Sequence, residues 1–262
     1  MYETRSYNFT PEYVADVLKG YSAHYKNGVR NWRIDKERLR RLDFIANIIN
    51  PVLKDKIIEI GCGFGPLIFR IINKGVFTNC IGLDISLDTL VPASCYFKKM
   101  GFLKNVKFIL GNGEKIPCKN GSFNKAILMD VLEHMDDVNK KNVLFEAFRV
   151  LEDDGVLLIN TPNLTYLSLA MHIKKLIYSI TFRDTSIIDI PQTPHSREKG
   201  DHIGLTTIRT LKSILLECGF KEIKFHFRPD NIYGSLIALL CIIFPPLKEQ
   251  WSQTITLYCK KG

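Results

Sequence analysis

A glycine-rich stretch at residues 59–65, EIGCGFG, is the first candidate for chemistry. Gly61, Gly63 and Gly65 would let the backbone turn sharply and approach a ligand closely. A dinucleotide-binding loop needs a glycine at the next position, where this sequence has Pro66, and the Gly-Lys-Ser/Thr run of a phosphate-binding loop is also missing. The stretch therefore suits a ligand that carries no pyrophosphate.

Asp84 lies 23 residues after Gly61, near the end of the apolar segment 80–85. A carboxylate at that place can accept hydrogen bonds from both hydroxyls of a ribose. Together the two features predict a nucleoside ligand without a diphosphate. The simpler alternative is a tight turn between a strand and a helix, with Asp84 as a capping residue.

A second polar group, D130-V-L-E-H134, follows another apolar segment. Carboxylates and imidazoles suit a divalent metal, and an imidazole can also act as a general base. The metal-ligand candidates are Asp130, Glu133, His134 and His202, and the general-base candidates are His134, His195 and His202. In the alternative that we favour, the acid and imidazole of Leu-Glu-His cap and pack, and no metal is expected.

The elements that must position these residues alternate along the chain, which predicts a parallel sheet with helices on both faces. Strands are expected at 56–61, 80–85, 106–111, 123–131, 156–161, 223–227 and 254–259. Helices are expected at 29–50, 66–75, 87–101, 139–151, 164–182 and 206–219. Turn and cap signals are Gly75, the 153–155 turn, Thr206 or Thr207, and Gly219.

Composition excludes several classes of protein. Hydrophobic residues make up 46% of the 262 residues, which is ordinary for a globular chain and excludes disordered and collagen-like proteins. The net charge of +9 favours anionic partners, but the basic residues are scattered rather than striped with aromatics, which argues against nucleic acid. Seven cysteines without a Cys-x-x-Cys pair, and an N-terminus without an apolar core, predict reduced thiols in a cytoplasmic protein.

The motifs EIGCGFG, LDIS, GNGEKIPCKNGSFN, AILMDVLEHM and FRVLEDDGVLLINTPN occur in this order between residues 57 and 163. In combination they resemble the class I S-adenosylmethionine-dependent methyltransferases. The resemblance implies a Rossmann-like, doubly wound α/β sheet of seven strands, mainly parallel with the last strand antiparallel. It also implies S-adenosylmethionine as the cofactor.

The resemblance further implies a role for each matching residue. The cofactor's methionine part would contact Glu59, Gly61, Cys62, Gly63, Gly65, Met129 and Asp130; its ribose would contact Asp84, and its adenine Ile85, Asn112, Gly113 and Glu114. The family usually has Asp where this chain has Asn112. An amide oxygen can still accept a hydrogen bond from the adenine amino group.

The 130–134 stretch is similar to two branches of the family. Small-RNA 3′-terminal 2′-O-methyltransferases bind magnesium through a Glu-x-x-Glu-His pattern and a distal histidine, although this chain has Asp130 at the first acidic position. Quinone-biosynthesis O-methyltransferases share Leu-Glu-His, and this branch is the better match. RNA methylation with a divalent metal, and a cofactor-binding subunit without catalysis, are the alternatives.

These features predict an N-terminal helical cap at 1–55 and a methyltransferase domain at 56–262, with insertions at about 163–204 and 229–252. Both insertions are apolar, and the first carries two lysines. We therefore expect them to select a small or lipid-like hydroxyl acceptor, such as a prenylated compound or a glycan precursor. Peripheral contact of the first insertion with a membrane surface is one expectation, and a lid packed on the domain or a dimer contact is the alternative. His172 and His226, inside apolar patterns, are expected to be core histidines.

Overall fold

The computed structural model describes residues 36–74, 79–180, 203–228, 252 and 254–262. Its strands are β1 (Lys56–Ile60), β2 (Asn79–Asp84), β3 (Val106–Leu110), β4 (Phe123–Met129), β5 (Leu151–Pro162), β6 (Phe220–Phe225) and β7 (Thr254–Lys261). Its helices are α1 (Lys36–Ile49), α2 (Pro66–Ile72), α3 (Leu87–Lys99), α4 (Asp137–Val150), α5 (Leu164–Ile180) and α6 (Ile208–Glu217). Short 3₁₀ turns lie at Phe102–Lys104 and Leu132–His134.

The strands form a seven-stranded sheet in the order β3-β2-β1-β4-β5-β7-β6. Strand β2 pairs in parallel with β1 and with β3. Strand β7 runs antiparallel to both β5 and β6, with Val156 opposite Lys260. The predicted doubly wound, mainly parallel sheet with an antiparallel last strand is confirmed.

The chain divides into two compact units. The described part of the first unit lies within 36–127 and 149–155. Aromatic side chains of α2, α3 and β3 form its core. The ring centroids of Phe97 and Phe108 are 5.0 Å apart, and those of Phe69 and Phe97 are 6.2 Å apart, both in edge-to-face arrangements that aromatic rings favour.

The second unit comprises 128–148 and the described residues from 156 onward. Phe148 of α4 meets Phe220 of β6 edge to face at 5.1 Å, and the Lys261 ammonium lies 4.7 Å from the Phe148 ring. A Cβ on Gly219 would stand 3.0 Å from Phe148, and Gly219 has φ 97°. The predicted glycine at the end of α6 is therefore required both by its backbone conformation and by packing.

Two local predictions are decided by backbone geometry. Helix α6 begins after Thr207, whose Oγ1 accepts a hydrogen bond from Thr210 N at 3.1 Å, so Thr207 is the N-cap. The turn predicted at 153–155 is wrong as a break between elements, because these residues lie inside β5. The chain does bend there: a Cβ on Gly155 would lie 2.7 Å from the carbonyl oxygen of Glu152.

Other predictions fall partly outside the described residues. Helix α5 matches the helix predicted at the start of the first insertion, whereas 181–202 and 229–251 are outside the description. Gly75 is also outside it, and α2 ends with Asn73 as its C-cap. The boundary between a cap and a catalytic domain stays a prediction.

Two further classes of prediction concern histidines and thiols. His172 is exposed, with its Nδ1 donating to Ser168 O at 2.7 Å, so its assignment to the core is wrong. His226 is half-buried. Its burial lowers its pKa, and the nearby positive charge of Lys224 lowers it further.

The cysteines that the structure describes are all free. No helix in the described ranges is long and apolar enough to cross a membrane.

Candidate functional site

The glycine loop connects β1 to α2 through three left-handed residues. Gly61, Gly63 and Gly65 have φ angles of 75°, 53° and 73°, a region that side chains with a Cβ disfavour. Pro66 follows as the first helical residue, where its missing N–H costs nothing. The sequence therefore forms a sharp strand-to-helix turn, as its glycine spacing predicts.

Asp84, the last residue of β2, holds this loop with its carboxylate. Its Oδ2 accepts a hydrogen bond from Gly63 N at 2.7 Å, and its Oδ1 accepts one from Ser86 N at 2.9 Å. Hydrogen bonds to a charged acceptor are among the stronger ones in proteins. The carboxylate thus fixes the loop against the end of β2.

Most of the loop amides are engaged within the protein. The amides of Gly61 and Cys62 donate to Leu83 O at 2.7 and 3.0 Å, and that of Gly65 donates to Cys62 O at 2.9 Å. With the Gly63 bond, four amides of the loop have protein acceptors. A diphosphate site would need such amides to point at the ligand. The geometry supports the sequence-based inference that the ligand carries no pyrophosphate.

One side of the loop faces open space. A Cβ added to Gly63 would have no heavy atom within 4 Å. A Cβ added to Gly65 would instead lie 3.2 Å from the Phe108 ring and 3.3 Å from Phe97. A ligand can therefore approach the backbone at Gly63, while Gly65 is packed against the aromatic core.

Two buried groups flank the loop. Glu59 of β1 is only 3% exposed, and Cys62 is equally buried. Burial raises the pKa of the Cys62 thiol well above its usual value, and the nearby charges of Glu59 and Asp84 raise it further. A thiol held in its protonated form is a poor nucleophile, so Cys62 acts by packing rather than by reacting.

The predicted adenine-side residues lie together at the ends of β2 and β3. Gly111 N donates to Asp84 O at 2.9 Å, which joins the two strand ends. The following turn is closed by Asn112 Oδ1, which accepts a hydrogen bond from Glu114 N at 3.0 Å. Ile85 is 75% exposed and offers apolar surface beside the Asp84 carboxylate.

The second polar group follows β4 in the second unit. Met129 ends the strand, and Asp130 adopts φ 55° with its amide donating to Asn160 O at 2.9 Å. Glu133 is 2% exposed and accepts a hydrogen bond from Thr161 Oγ1 at 2.9 Å, whereas His134 is exposed. The predicted candidates thus have different surroundings: Glu133 is buried, and His134 is open to solvent.

No group of three or more His, Cys, Asp or Glu residues that could hold a metal occurs in the described ranges. Asp130, Glu133 and His134 are therefore not brought together as a ligand set. His195 and His202 lie outside the described residues, so their predicted roles stay predictions.

Sequence patterns missed the contacts that fix this second group. Gly204 N donates to Glu133 O at 2.9 Å, and a Cβ on Gly204 would lie 1.7 Å from Met135 O. No local sequence pattern predicts the contacts of Gly204 or the hydrogen bond from Thr161 to Glu133, because they join residues that are distant in sequence. Asn163 caps α5, and its position before an apolar helical segment was the available signal.

The sheet order and the glycine loop held by Asp84 are those of a Rossmann-like domain. Residues 53–181 match the family described as "Methyltransferase domain". Residues 53–181 therefore form a methyltransferase domain, of the class I S-adenosylmethionine-dependent type.

Three curated relatives are similar over part of the chain. An uncharacterised protein of Methanocaldococcus jannaschii is 33% identical over 156 residues, which are 58% of this chain and 51% of the relative. The mitochondrial ubiquinone biosynthesis O-methyltransferase of Candida albicans is 28% identical over 61% of this chain and 45% of its own length. A ubiquinone/menaquinone biosynthesis C-methyltransferase of Rickettsia prowazekii is 29% identical over 47% of this chain and 49% of its own.

This chain spans about half the length of these relatives. Among solved structures, phosphoethanolamine N-methyltransferase 2 of Haemonchus contortus, crystallised with S-adenosylmethionine, aligns with a TM-score of 0.60 at 14% identity. The alignment covers 100% of this chain and 60% of that one, and it shows that the two share a fold.

Proposed function

We propose that this protein transfers a methyl group from S-adenosylmethionine to a hydroxyl group of a small or lipid-like acceptor. The proposed use of this cofactor is supported by the glycine loop, which is open at Gly63 and is held by Asp84. When bound, S-adenosylmethionine supplies an electrophilic methyl group on a sulfonium sulfur. The protein must then hold the cofactor and orient the acceptor.

Asp84 is suited to hold the ribose. An ionised carboxylate has about four acceptor positions, and the bonds from Gly63 N and Ser86 N use two of them. The remaining positions can accept both ribose hydroxyls without releasing the loop. The other proposed contacts are Glu59, Gly61, Cys62, Gly65, Ile85, Asn112, Gly113, Glu114, Met129 and Asp130.

A hydroxyl acceptor must lose its proton as the methyl group arrives. The proposed general bases are His134, His195 and His202, of which the structure describes His134 as exposed. An exposed imidazole can pass the proton on to solvent. Glu133 is already hydrogen-bonded to Thr161, which favours a role in holding its turn over proton transfer.

Two features support a lipid-like hydroxyl acceptor. Helix α5, LTYLSLAMHIKKLIYSI, is mainly apolar, carries two lysines and contains no acidic residue, so we propose that it borders the acceptor. A relative at 28% identity is a ubiquinone biosynthesis O-methyltransferase. Another relative transfers to carbon, so the acceptor atom has to be measured.

Calorimetry with S-adenosylhomocysteine tests the cofactor site. We expect micromolar binding by the wild type and at least tenfold weaker binding by Asp84→Asn, which removes the charge and replaces one acceptor oxygen by a donor. Asp88→Asn, an exposed acid in the first turn of α3, is the matched control and should bind like the wild type. Equal binding by all three proteins would contradict the proposed role of Asp84.

Methyl transfer is then measured with S-adenosylmethionine labelled in its methyl group. Acceptors are catechol, a catechol bearing a geranyl chain, and a single-stranded RNA oligonucleotide, with products located by mass spectrometry. An O-methylated geranyl catechol supports the proposal. A methyl group on carbon, on nitrogen or on RNA ribose would overturn it, and cofactor binding without transfer to any acceptor would favour a non-catalytic subunit.

Salt dependence separates a lipid surface from RNA. Contact between apolar segments and phosphatidylcholine vesicles should persist from 0.1 to 0.5 M salt, because it depends on buried apolar area. RNA binding through phosphate contacts would weaken steeply over the same range. Vesicle flotation at both salt concentrations therefore tests the proposed peripheral membrane contact.

A further inference from the structure

We propose that Asn163 is a positioning residue that fixes the first turn of α5 against the end of the β5–β7 strand pair. The inference rests on the proposed function, in which α5 borders the acceptor. Asn163 is 0% exposed, so it acts through α5 and does not touch the acceptor itself. Its substitution should change acceptor binding while leaving cofactor binding intact.

The side-chain amide of Asn163 makes two different bonds at once. Its Oδ1 accepts from Thr165 N at 3.1 Å, which caps α5. Its Nδ2 donates to Ser252 O at 2.9 Å, just before β7 begins. Its backbone carbonyl accepts the first helical bond, from Leu167 N at 3.0 Å. One residue therefore joins the start of a helix to Ser252, which is 89 positions away and lies just before β7.

A third segment meets the other two at the same place. Asn163 forms a parallel bridge with Thr206, and Leu164 N donates to Thr206 O at 3.0 Å. Thr206 follows the first predicted insertion, and Ser252 ends the second. The start of the first insertion and the C-terminal ends of both insertions therefore meet at Asn163.

The chemistry of these bonds requires an amide of this length. Aspartate would keep the cap but would lose the donor and place a carboxylate oxygen against the carbonyl of Ser252. Serine would keep a shorter acceptor for the cap and has no group that reaches the Ser252 carbonyl. Both substitutions thus break the tie to β7 while keeping an acceptable N-cap residue.

The test uses Asn163→Ser and Asn163→Asp, with Thr207→Ala as the matched control. Thr207 caps α6 in the same unit and is half-buried; its substitution by Ala removes a helix cap without touching the Asn163 bonds. Each protein is measured for S-adenosylhomocysteine binding by calorimetry and for KM and kcat with the geranyl catechol. Amide hydrogen exchange is followed in peptides that cover α5 and α6.

We expect the Asn163 variants to raise the acceptor KM at least tenfold, with S-adenosylhomocysteine affinity within twofold of the wild type. Thr207→Ala should lower thermal stability comparably and leave the acceptor KM unchanged. If Asn163→Ser lowers stability but keeps the wild-type KM, the residue is structural only and the proposal is overturned. Asn163→Ser provides the decision even where Asn163→Asp fails to fold.

Hydrogen exchange separates this proposal from the proposed function. If the wild type methylates no acceptor, the proposed function has failed, and exchange alone decides on Asn163. Faster exchange in α5 but not α6 for Asn163→Ser, with the converse pattern for Thr207→Ala, supports the anchor. Exchange in α5 that stays at the wild-type rate overturns it.

Discussion

Alanine substitution of Gly63 and Gly65 should separate cofactor binding from folding. Both glycines have left-handed φ angles, so each Ala costs about 1–2 kcal/mol in backbone conformation. At Gly63 the added methyl group meets open space and nothing more is lost. At Gly65 it meets two aromatic rings at 3.2 and 3.3 Å, which adds about 1–3 kcal/mol of overpacking.

These differences translate into measurable shifts. With about 2–4 °C per kcal/mol for a chain of this size, Gly63→Ala should lower the melting temperature by roughly 2–8 °C and Gly65→Ala by more. Gly63→Ala should weaken S-adenosylhomocysteine binding at least tenfold, because its methyl group occupies the approach to the backbone. Gly65→Ala, assayed below its melting temperature, should lose less affinity than Gly63→Ala, because its methyl group meets the aromatic core and not the open side of the loop.

Differential scanning fluorimetry measures the melting temperature, and calorimetry on the same preparations measures the affinity for S-adenosylhomocysteine. If Gly63→Ala binds S-adenosylhomocysteine like the wild type, the open side of the loop is not where the cofactor approaches. If Gly63→Ala is the less stable of the two variants, contact with Phe97 and Phe108 is not what limits substitution at position 65.

Three further predictions concern buried groups outside the loop. Burial raises the pKa of Cys259 to about 12 from an ordinary 9.0, so its stabilising contribution is complete below pH 9 and is lost as pH rises towards 12. The free energy of unfolding in urea should therefore fall between pH 8.5 and about 11, and it should fall less steeply in Cys259→Val. Lys140 is 1% exposed and donates to Asp137 at 2.9 Å; Lys140→Met should change the free energy of unfolding by less than about 1.5 kcal/mol, and a loss above about 3 kcal/mol would show that the ion pair matters more. Asp55 is buried, lies 2.6 Å from the Lys125 ammonium and accepts three hydrogen bonds. Asp55→Asn should therefore lower the free energy of unfolding in urea by about 3–5 kcal/mol. Adding Lys125→Met should recover part of that loss, and no recovery would contradict an electrostatic cause.

Much of the fold was predictable because its signals are local. The alternation of apolar strands and amphipathic helices predicted the order of elements, and the spacing of the loop glycines predicted the sharp strand-to-helix turn. These signals depend on residues that are neighbours in sequence. Backbone conformation and side-chain periodicity act at that range.

The rest depends on contacts between distant residues. The bonds from Thr161 to Glu133 and from Asn163 to Ser252 span 28 and 89 positions, and the register of the sheet decides whether they form. The break predicted at 153–155 failed because β5 continues through the local turn signal, with Asp154 at φ 63° inside the strand. His172 was misplaced because an apolar pattern does not specify which helix face is covered.

The contact of Gly204 with Met135 has a consequence for protein engineering. Since a Cβ at position 204 would stand 1.7 Å from the Met135 carbonyl oxygen, only glycine fits there, and Asn163 is equally constrained at the other end. These two residues are natural boundaries for grafting a segment from another member of the family. Doubling the length of a flexible graft costs only about 0.6 kcal/mol in closure entropy. Chimeras joined at Asn163 and Gly204 should therefore exchange acceptor preference while retaining the host fold.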